Sequence, residues 1–227
     1  MERSKIEAMI LDPGFDYLQP WFYNNPYALR CELGGGKTKA AYMRRARQRA
    51  KKIYEILFPH GADAIIFSYC ITDWSDSGEP DAVRFGETEE TIRLRLRRET
   101  QALRFLSECM MKYRHVSVKG LKTDLEPDDP DWGSVRRNRI VCYADDGGFD
   151  DRKLMEHQLV RDDGRELGLV SFDNECILSV YDDRGCDAVF ATYEKMAAFY
   201  PLLEPFFLDY DRAEMKNRLA KGSVTSV

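Results

Sequence analysis

The sequence predicts an α+β protein in which a mixed or antiparallel sheet packs against helices. The first half of the chain alternates strand-like and helix-like patterns, which gives two main helices. The second half contains short apolar runs separated by Asp- and Gly-rich turns, as in a strand meander. Of the 227 residues, 44% are hydrophobic and 32% are charged, which excludes a disordered polymer and a membrane-embedded chain.

The N-terminal half begins with an aromatic-rich, irregular arm over residues 1–26. Apolar spacing then predicts, in chain order, a strand Tyr27–Leu33, a helix Lys37–Phe58, a central strand Ala62–Ile71, a long helix Glu87–Tyr113 and a short strand His115–Val118. Residues 120–133 carry two prolines and several acids, and are expected to form a surface loop. We expect a single domain over residues 1–227. A boundary near 121–134 would divide a strand-helix-strand-helix part (1–120) from a strand-rich part (135–227).

The C-terminal half is predicted to form an antiparallel meander closed by a helix. Close turn signals separate five short predicted strands, Arg139–Ala144, Leu154–Val160, Leu167–Phe172, Cys176–Tyr181 and Asp187–Phe190. Two helical segments follow, at about Tyr193–Tyr200 and Arg212–Lys221.

Charge is distributed unevenly along the chain. The net charge is −5, but Asp124–Asp211 holds 22 acidic and 9 basic residues, a net of −13. Such a segment would steer a basic protein partner, such as a toxin, toward this half of the protein. The alternative is that many of these acids serve turns, because Asp bonds its own backbone; Asp145, Asp146, Asp162 and Asp163 are examples.

Several other patterns in the sequence favour no ligand. Gly34–Thr38 (GGGKT) resembles the end of a phosphate-binding loop, but Cys31 stands where the first glycine is required. The basic run 43–52 falls on the solvent faces of its helix, and the acidic total disfavours nucleic acid. The acids of 145–151 lack the spacing of a calcium loop. The three histidines belong to no nucleophile motif, so we expect no cofactor and no metal.

The six cysteines lack the spacing of a zinc site or a redox motif. Most lie in apolar runs, so we expect them to be reduced and structural. The first residues show no secretory signal and no membrane span, which predicts a cytoplasmic location.

Residues 181–187 (YDDRGCD) are predicted to form a hairpin turn. Gly185 is expected to adopt a positive φ, and Asp182 or Asp183 to accept from turn amides. We expect Arg184 to be structural and partly buried, with its carboxylate supplied by one of three acids, Asp183, Asp187 or Asp209. In the later segment FLDYDR, Asp209 or Asp211 is expected to cap the last helix.

The strings SVYDDRGCDAVF and FFLDYDR resemble the bacterial domain of unknown function 3885 (DUF3885) family. Upstream, ALRCELG and the helix ending in Ile56, Leu57 and Phe58 resemble that family in outline. The resemblance implies a fold and a set of motif residues, but no reaction. These residues are Tyr181, Asp182, Asp183, Arg184, Gly185, Asp187, Asp209, Tyr210, Asp211 and Arg212.

Two functional hypotheses follow. The first is a non-enzymatic binding protein, an immunity-type antidote whose acidic C-terminal half covers a basic toxin surface. The second is a hydrolase or nuclease-like enzyme built around four residues, Asp182, Asp183, Arg184 and Asp209. Convergence of these side chains in one pocket would favour the enzyme. The absence of a catalytic motif favours the first hypothesis.

Overall fold

The computed structural model describes residues 4–15, 21–73, 107–124, 134–145, 148–150, 159 and 167–222. Within these ranges the helices are α1 (Lys5–Leu11), α2 (Trp21–Asn24), α3 (Lys39–Leu57), α4 (Tyr193–Leu203) and α5 (Arg212–Gly222). Residues 107–112 are also helical. Two short 3-10 helices, Glu204–Phe206 and Asp209–Asp211, connect α4 to α5.

The described strands form one eight-stranded sheet. They are β1 (Ala28–Glu32), β2 (Ala64–Asp73), β3 (His115–Val118), β4 (Lys122–Asp124), β5 (Ser134–Tyr143), β6 (Leu167–Ser171), β7 (Cys176–Val180) and β8 (Gly185–Phe190). Their order is β1-β8-β7-β6-β2-β5-β3, and β4 also pairs with β5. Every pairing is antiparallel, so the predicted α+β class is confirmed.

Most predicted elements in the described part of the chain are confirmed, with small shifts at their ends. Strands β6, β7 and β8 pair in chain order as the predicted meander, and α4 and α5 follow them. Strand β2 lies between β6 and β5, in the central position that its apolar run predicted. The predicted strand Leu154–Val160 lies outside the described residues except for residue 159, as does the predicted long helix before residue 107.

Two predictions about irregular segments are wrong. The N-terminal arm contains α1 and α2 rather than irregular chain, and α1 begins where the Ser4 hydroxyl accepts from the backbone N–H of Glu7 at 3.2 Å. A helix of seven residues provides too few turns for a clear periodicity, which explains why the pattern did not reveal it. In the predicted surface loop 120–133, residues Lys122–Asp124 form β4 instead.

Helix α3 forms because its N-cap, apolar stripe and terminating residues agree. The Thr38 hydroxyl accepts from the backbone N–H of Ala41 at 3.2 Å, which satisfies one free amide of the first turn. Pro59, two residues after the helix ends, prevents its continuation. One face is buried in the core: Ala46, Ala50, Ile53, Tyr54 and Leu57. The basic residues occupy the solvent side, as predicted: Arg44, Arg45, Arg47, Lys51 and Lys52 are exposed.

The N-terminal helices dock on the sheet through two specific contacts. Arg139 of β5 is almost fully buried, and its guanidinium donates to the backbone oxygens of Ile10, at 2.7 Å, and of Asp12, at the end of α1. A β-carbon at Gly168 of β6 would lie 2.9 Å from the Trp21 ring, so glycine at this position allows α2 to approach. These contacts hold α1 and α2 against the middle of the sheet.

Strands from both sides of the predicted boundary at 121–134 belong to the same sheet. Strand β1 pairs with β8, and β2 pairs with both β5 and β6. One cluster of buried hydrophobic residues contains side chains from both parts, for example Leu29 and Val189.

Five of the six cysteines have described side chains, and all five are free thiols in the interior: Cys31, Cys109, Cys142, Cys176 and Cys186. The prediction of reduced, structural cysteines is therefore confirmed for these five. Burial raises the pKa of the Cys109 thiol to about 11 and that of Cys142 to about 12. Among the described helices, none is both long and apolar enough to span a bilayer.

Candidate functional site

The site is built around a buried ion pair between two neighbouring strands. Arg30 of β1 lies opposite Asp187 of β8. Its Nε donates to Asp187 Oδ1 at 2.8 Å, and its Nη2 donates to Oδ2 at 3.0 Å. The backbone N–H of Phe22 also donates to Asp187 Oδ2, at 3.0 Å. Because both side chains are buried, this bidentate contact and the additional hydrogen bond offset the desolvation of the charges.

A second carboxylate, Asp211, approaches Arg30 from the C-terminal segment. Its Oδ2 lies 3.6 Å from Arg30 Nη1, and the Tyr23 hydroxyl donates to its Oδ1 at 2.8 Å. Asp211 is buried and immediately precedes α5. Its carboxylate therefore ties this segment to β1 and α2 and does not cap the last helix.

Three aromatic rings surround the guanidinium of Arg30. Its Cζ lies 4.8 Å from the ring centroid of Tyr23, 5.1 Å from that of Phe22 and 5.6 Å from that of Tyr181. Each distance is within the range of a cation–π contact, which is strengthened when water is excluded. Tyr181 is the first residue of the YDDRG motif, so the motif contacts the buried arginine directly.

The two members of the pair differ in their response to pH. Burial raises the pKa of Asp187 above the usual range of a carboxyl group, although the hydrogen bond and charge of Arg30 act in the opposite direction. Burial alone would lower the pKa of Arg30, but the hydrogen bond and charge of Asp187 raise it overall. The guanidinium therefore remains charged, and Asp187 is the member that takes up a proton on acidification.

Arg184 occupies a different environment from the one the sequence suggested. Its Nε donates to Asp182 Oδ2 at 2.7 Å, and its Nη2 forms an ion pair with the same oxygen. Asp182 Oδ1 also accepts from the backbone N–H of Arg184 at 2.8 Å, which confirms that an aspartate stabilises this turn. The side chain of Arg184 is 75% exposed. The predictions that it is partly buried and that Asp183, Asp187 or Asp209 supplies its carboxylate are therefore wrong.

The glycine of the motif is required by packing. Gly185 begins β8 and does not have the positive φ that the turn pattern predicted. Instead, a β-carbon at this position would overlap the hydroxyl of Tyr181. The same arrangement recurs nearby, where a β-carbon at Gly34 would overlap the hydroxyl of Tyr42 of α3. Glycine at these two positions makes room for the two tyrosine side chains.

The second motif segment is divided between the interior and the surface. Asp211 is buried, whereas Asp209 is 94% exposed and accepts from Arg212 Nε at 3.2 Å. Tyr210 between them is 85% exposed. The guanidinium of Arg212 lies 5.7 Å from the ring centroid of Phe207. The segment therefore presents a tyrosine and an acid to solvent beside the buried cluster.

An open cavity of about 570 Å³ lies where these elements meet. We call it the motif cavity, and it is lined by Arg30, Glu32, Gly34, Gly35, Tyr42, Tyr181, Arg184 and Leu208. Gly35 and Gly36, with φ of 130° and 135°, allow the chain to turn from β1 into α3 at its edge. Two of the predicted motif residues, Tyr181 and Arg184, line this cavity, while Asp182 and Asp183 belong to the adjoining turn. Asp209 does not line it.

Arg30, Glu32 and Tyr42 also line this cavity and were not predicted as site residues. One signal was present for Arg30, because a charged residue stands in the otherwise apolar run ALRC. A buried charge in a strand requires a partner, and that partner lies 157 residues away. The sequence offers no local sign of such a distant pairing.

The tyrosines of the cavity remain neutral. Burial raises the pKa of Tyr42, and the charges of Asp183 and Asp182 raise it further. Burial also raises the pKa of Tyr181, and the charge of Asp187 adds to the effect. Both phenols can therefore donate a hydrogen bond and present an uncharged ring to a ligand. Within the described ranges, no three His, Cys, Asp or Glu side chains are grouped to hold a metal ion.

These features define the structural class of the protein. It is an α+β protein built on one antiparallel sheet, with a cavity beside its edge strand β1. The sequence model of the family described as Domain of unknown function (DUF3885) matches residues 10–211, so the chain belongs to that family. The match includes β1, the YDDRG motif and the second motif segment as far as Asp211. No curated protein and no solved structure matches the chain.

Proposed function

We propose that this protein is a non-enzymatic binding protein of the immunity type, which holds a basic protein partner against the surface around the motif cavity. The observation that carries the proposal is the exposure of Tyr210 between Asp209 and the buried Asp211. Tyrosine is enriched at the energetic centres of protein interfaces, because its ring contributes apolar area and its hydroxyl a hydrogen bond. A tyrosine exposed beside an acid suits a partner with basic and apolar groups.

A second aromatic side chain extends this surface. Tyr23 is 51% exposed, although its hydroxyl donates to Asp211. Its pKa is raised by that hydrogen bond, and to a lesser extent by burial, by the charge of Asp211 and by Tyr210, which lies nearby. Tyr23 is thus held on the buried ion-pair cluster, and the exposed Tyr210 lies near it. A surface fixed in this way binds with little loss of conformational entropy.

The acidic charge available to a partner is smaller than the count of −13 suggests. Eleven of the 22 acids of Asp124–Asp211 have described side chains, and two of these, Asp187 and Asp211, are buried around Arg30. Asp182 is paired with Arg184. The exposed acids that remain include Asp173, Glu194, Glu204 and Asp209. Electrostatic attraction of a basic partner therefore acts through this reduced set, mainly on the association rate.

The enzyme hypothesis receives less support from the same geometry. Asp182 is engaged by Arg184, and Asp209 points into solvent and pairs with Arg212. These residues do not converge on one enclosed position where a metal and a phosphate would be held together. The buried thiols fit a reducing, cytoplasmic compartment for the binding protein.

The proposal is tested by co-expression with the products of the genes on either side of this one, and a basic product among them is the expected partner. We expect a complex whose Kd rises between 50 and 500 mM NaCl, because salt screens exposed charges. Tyr210→Ala is expected to weaken it by about 30-fold, which corresponds to a hot-spot contribution of about 2 kcal/mol. The control is Met111→Ala, which removes a 78% exposed side chain from the helical stretch 107–112, shortly before β3 at the far end of the strand order from β1. A complex whose affinity is changed neither by Tyr210→Ala nor by salt would contradict the proposal. The absence of any complex would contradict it as well.

A further inference from the structure

The charged groups that line the motif cavity are mainly basic. Arg30 of β1 and Arg184 of the YDDRG turn both line it, and the Arg184 side chain is 75% exposed. Among the described residues, Glu32 is the single carboxylate in the lining. This carboxylate is already compensated, because Arg49 Nη1 donates to its Oε2 at 2.9 Å. A ligand in the cavity therefore meets more positive than negative charge.

Arg30 contributes a buried donor group whose hydrogen bonds are incomplete. Its side chain is 8% exposed, and Asp187 accepts from its Nε and Nη2. Its Nη1 donates no hydrogen bond to a described residue, because its contact with Asp211 Oδ2, at 3.6 Å, is too long. Both acids are buried, and neither lines the cavity. A buried charged donor with a free position favours an acceptor oxygen from a ligand.

Arg45 of α3 brings a further guanidinium to the edge of the cavity. A β-carbon at Gly35 would lie 3.0 Å from Arg45 Nε, so the arginine packs directly against this lining residue. Arg45 is exposed and forms no ion pair with any described side chain. Because residues 34 and 35 are glycines, no side chain covers the backbone of this wall, and a ligand can approach it closely.

Three guanidinium groups thus reach the cavity from three different elements, β1, α3 and the turn before β8. Guanidinium groups match the oxygens of phosphate and carboxylate in geometry. A phosphate monoester has three terminal acceptor oxygens and close to two negative charges, so it can accept from several donors at once. Three separate guanidinium groups therefore suit a phosphate better than a carboxylate.

The remaining lining suits an uncharged ring. Tyr42 and Tyr181 line the cavity, and their raised pKa values keep both phenols neutral. A neutral phenol can donate a hydrogen bond, and its ring can pack against another ring. The volume of about 570 Å³ lies within the roughly 300–1,000 Å³ of ligand-binding pockets. The cavity therefore has room for more than a phosphate group alone.

We infer that the motif cavity binds a small molecule that carries a phosphate monoester on a ring, with Arg30, Arg45 and Arg184 around the phosphate and the tyrosines beside the ring. This inference goes beyond the proposed function, because the ligand is a small molecule and not the protein partner.

The test compares four probes at constant ionic strength: phenyl phosphate, inorganic phosphate, benzoate and phenol. Binding is followed by NMR of the protein labelled at its tyrosine rings. We expect phenyl phosphate to shift the signals of Tyr42 and Tyr181 in a saturable way, with a Kd below about 1 mM. We expect the other three probes to bind at least about threefold more weakly.

Each alternative outcome would overturn a stated part of the inference. The absence of a saturable shift with phenyl phosphate would overturn it entirely. Equal binding of phenol would show that charge has no role. Equal binding of benzoate would assign the site to carboxylates, and equal binding of inorganic phosphate would exclude a role for the ring.

Variants of matched charge assign the binding to this cavity. Arg45→Gln is expected to weaken phenyl phosphate by about two- to fivefold, as for an exposed ion pair. Arg47→Gln removes the same charge from an exposed position of the same helix that does not line the cavity, and is expected to leave the affinity unchanged. Equal affinities for these two variants would refute the placement of the phosphate beside Arg45.

A third variant gives a change of the opposite sign. Asp183 does not line the cavity, but its charge acts on Tyr42. Asp183→Asn removes a negative charge near the bound phosphate and is expected to tighten phenyl phosphate by about two- to threefold. Weaker binding to Asp183→Asn would contradict an anion site.

The same measurements separate this inference from the proposed function. Tyr210 does not line the cavity, so Tyr210→Ala is expected to leave the affinity for phenyl phosphate unchanged. If phenyl phosphate binds and no basic partner does, the proposed function is wrong and the inference stands. If a basic partner binds and phenyl phosphate does not, the inference is wrong and the proposed function stands.

Discussion

Asp187→Asn is expected to destabilise the protein strongly, whereas the chemically identical change Asp182→Asn is not. Both aspartates form a close contact with an arginine, but the Arg30–Asp187 pair is buried and the Arg184 side chain is 75% exposed. In Asp187→Asn, the amide group faces the donors of Arg30 and leaves a buried guanidinium without its main partner. Such a loss costs about 3–5 kcal/mol when the charge has no alternative. Because Asp211 remains 3.6 Å away, we expect about 3 kcal/mol.

The measurement is urea and thermal unfolding of the two variants and the parent protein. For a chain of this size, roughly 2–4 °C per kcal/mol predicts a melting temperature lowered by about 6–12 °C for Asp187→Asn. Asp182→Asn is expected to cost less than about 1 kcal/mol, as exposed pairs do. The double variant Arg30→Met with Asp187→Asn is expected to be more stable than Asp187→Asn alone, because no buried charge remains. A small loss for Asp187→Asn, equal to that for Asp182→Asn, would refute the reasoning and would mean that Asp187 is protonated in the folded protein.

Two further changes test packing and buried thiols. Gly185→Ala is expected to lower the free energy of unfolding by about 1–3 kcal/mol through overpacking, because the new methyl group meets the Tyr181 hydroxyl. Adding Tyr181→Phe should recover part of this loss. An unchanged urea midpoint for Gly185→Ala would contradict the prediction. The Cys142 thiol has a pKa raised to about 12, so the unfolded state releases its proton first above pH 9. The stability that the protonated Cys142 thiol contributes is therefore fully present below pH 9 and is lost as the pH rises toward 12. Between pH 9 and 11 the free energy of unfolding of the parent protein should fall more steeply than that of Cys142→Ala, by up to about 1.4 kcal/mol per pH unit. Parallel slopes for the two proteins would show that the Cys142 thiol does not contribute to this pH dependence.

The sequence predicted those parts of the fold that depend on local patterns. Helix α3 was predicted correctly because its apolar stripe and Pro59 agree within one segment, although the cap at Thr38 was not recognised. The meander of β6, β7 and β8 was predicted because apolar runs and Asp-rich turns alternate over a short stretch. The short helices α1 and α2 were missed, because they contain too few turns to show a period.

The site was predicted only in part, because its central contacts are distant in sequence. Two residues of the motif, Tyr181 and Arg184, line the cavity. The importance of Arg30, however, depends on Asp187, which the chain brings near only after the sheet has formed. Gly185 was assigned to a turn conformation on general grounds, whereas the space taken by the Tyr181 ring explains it. Packing of this kind is visible only in three dimensions.

The pairing of β1 with β8 has a consequence for synthesis on the ribosome. Arg30 emerges early, but Asp187 is made 157 residues later. At roughly 5–20 residues per second, about 8–30 s pass before β8, which among the described strands forms the full ladder with β1, has been synthesised. During that interval the apolar side chains and unpaired amides of β1 are exposed to other chains, so a nascent polypeptide is most prone to aggregate before β8 emerges. A chain truncated before β8 would carry the first strand permanently in this state.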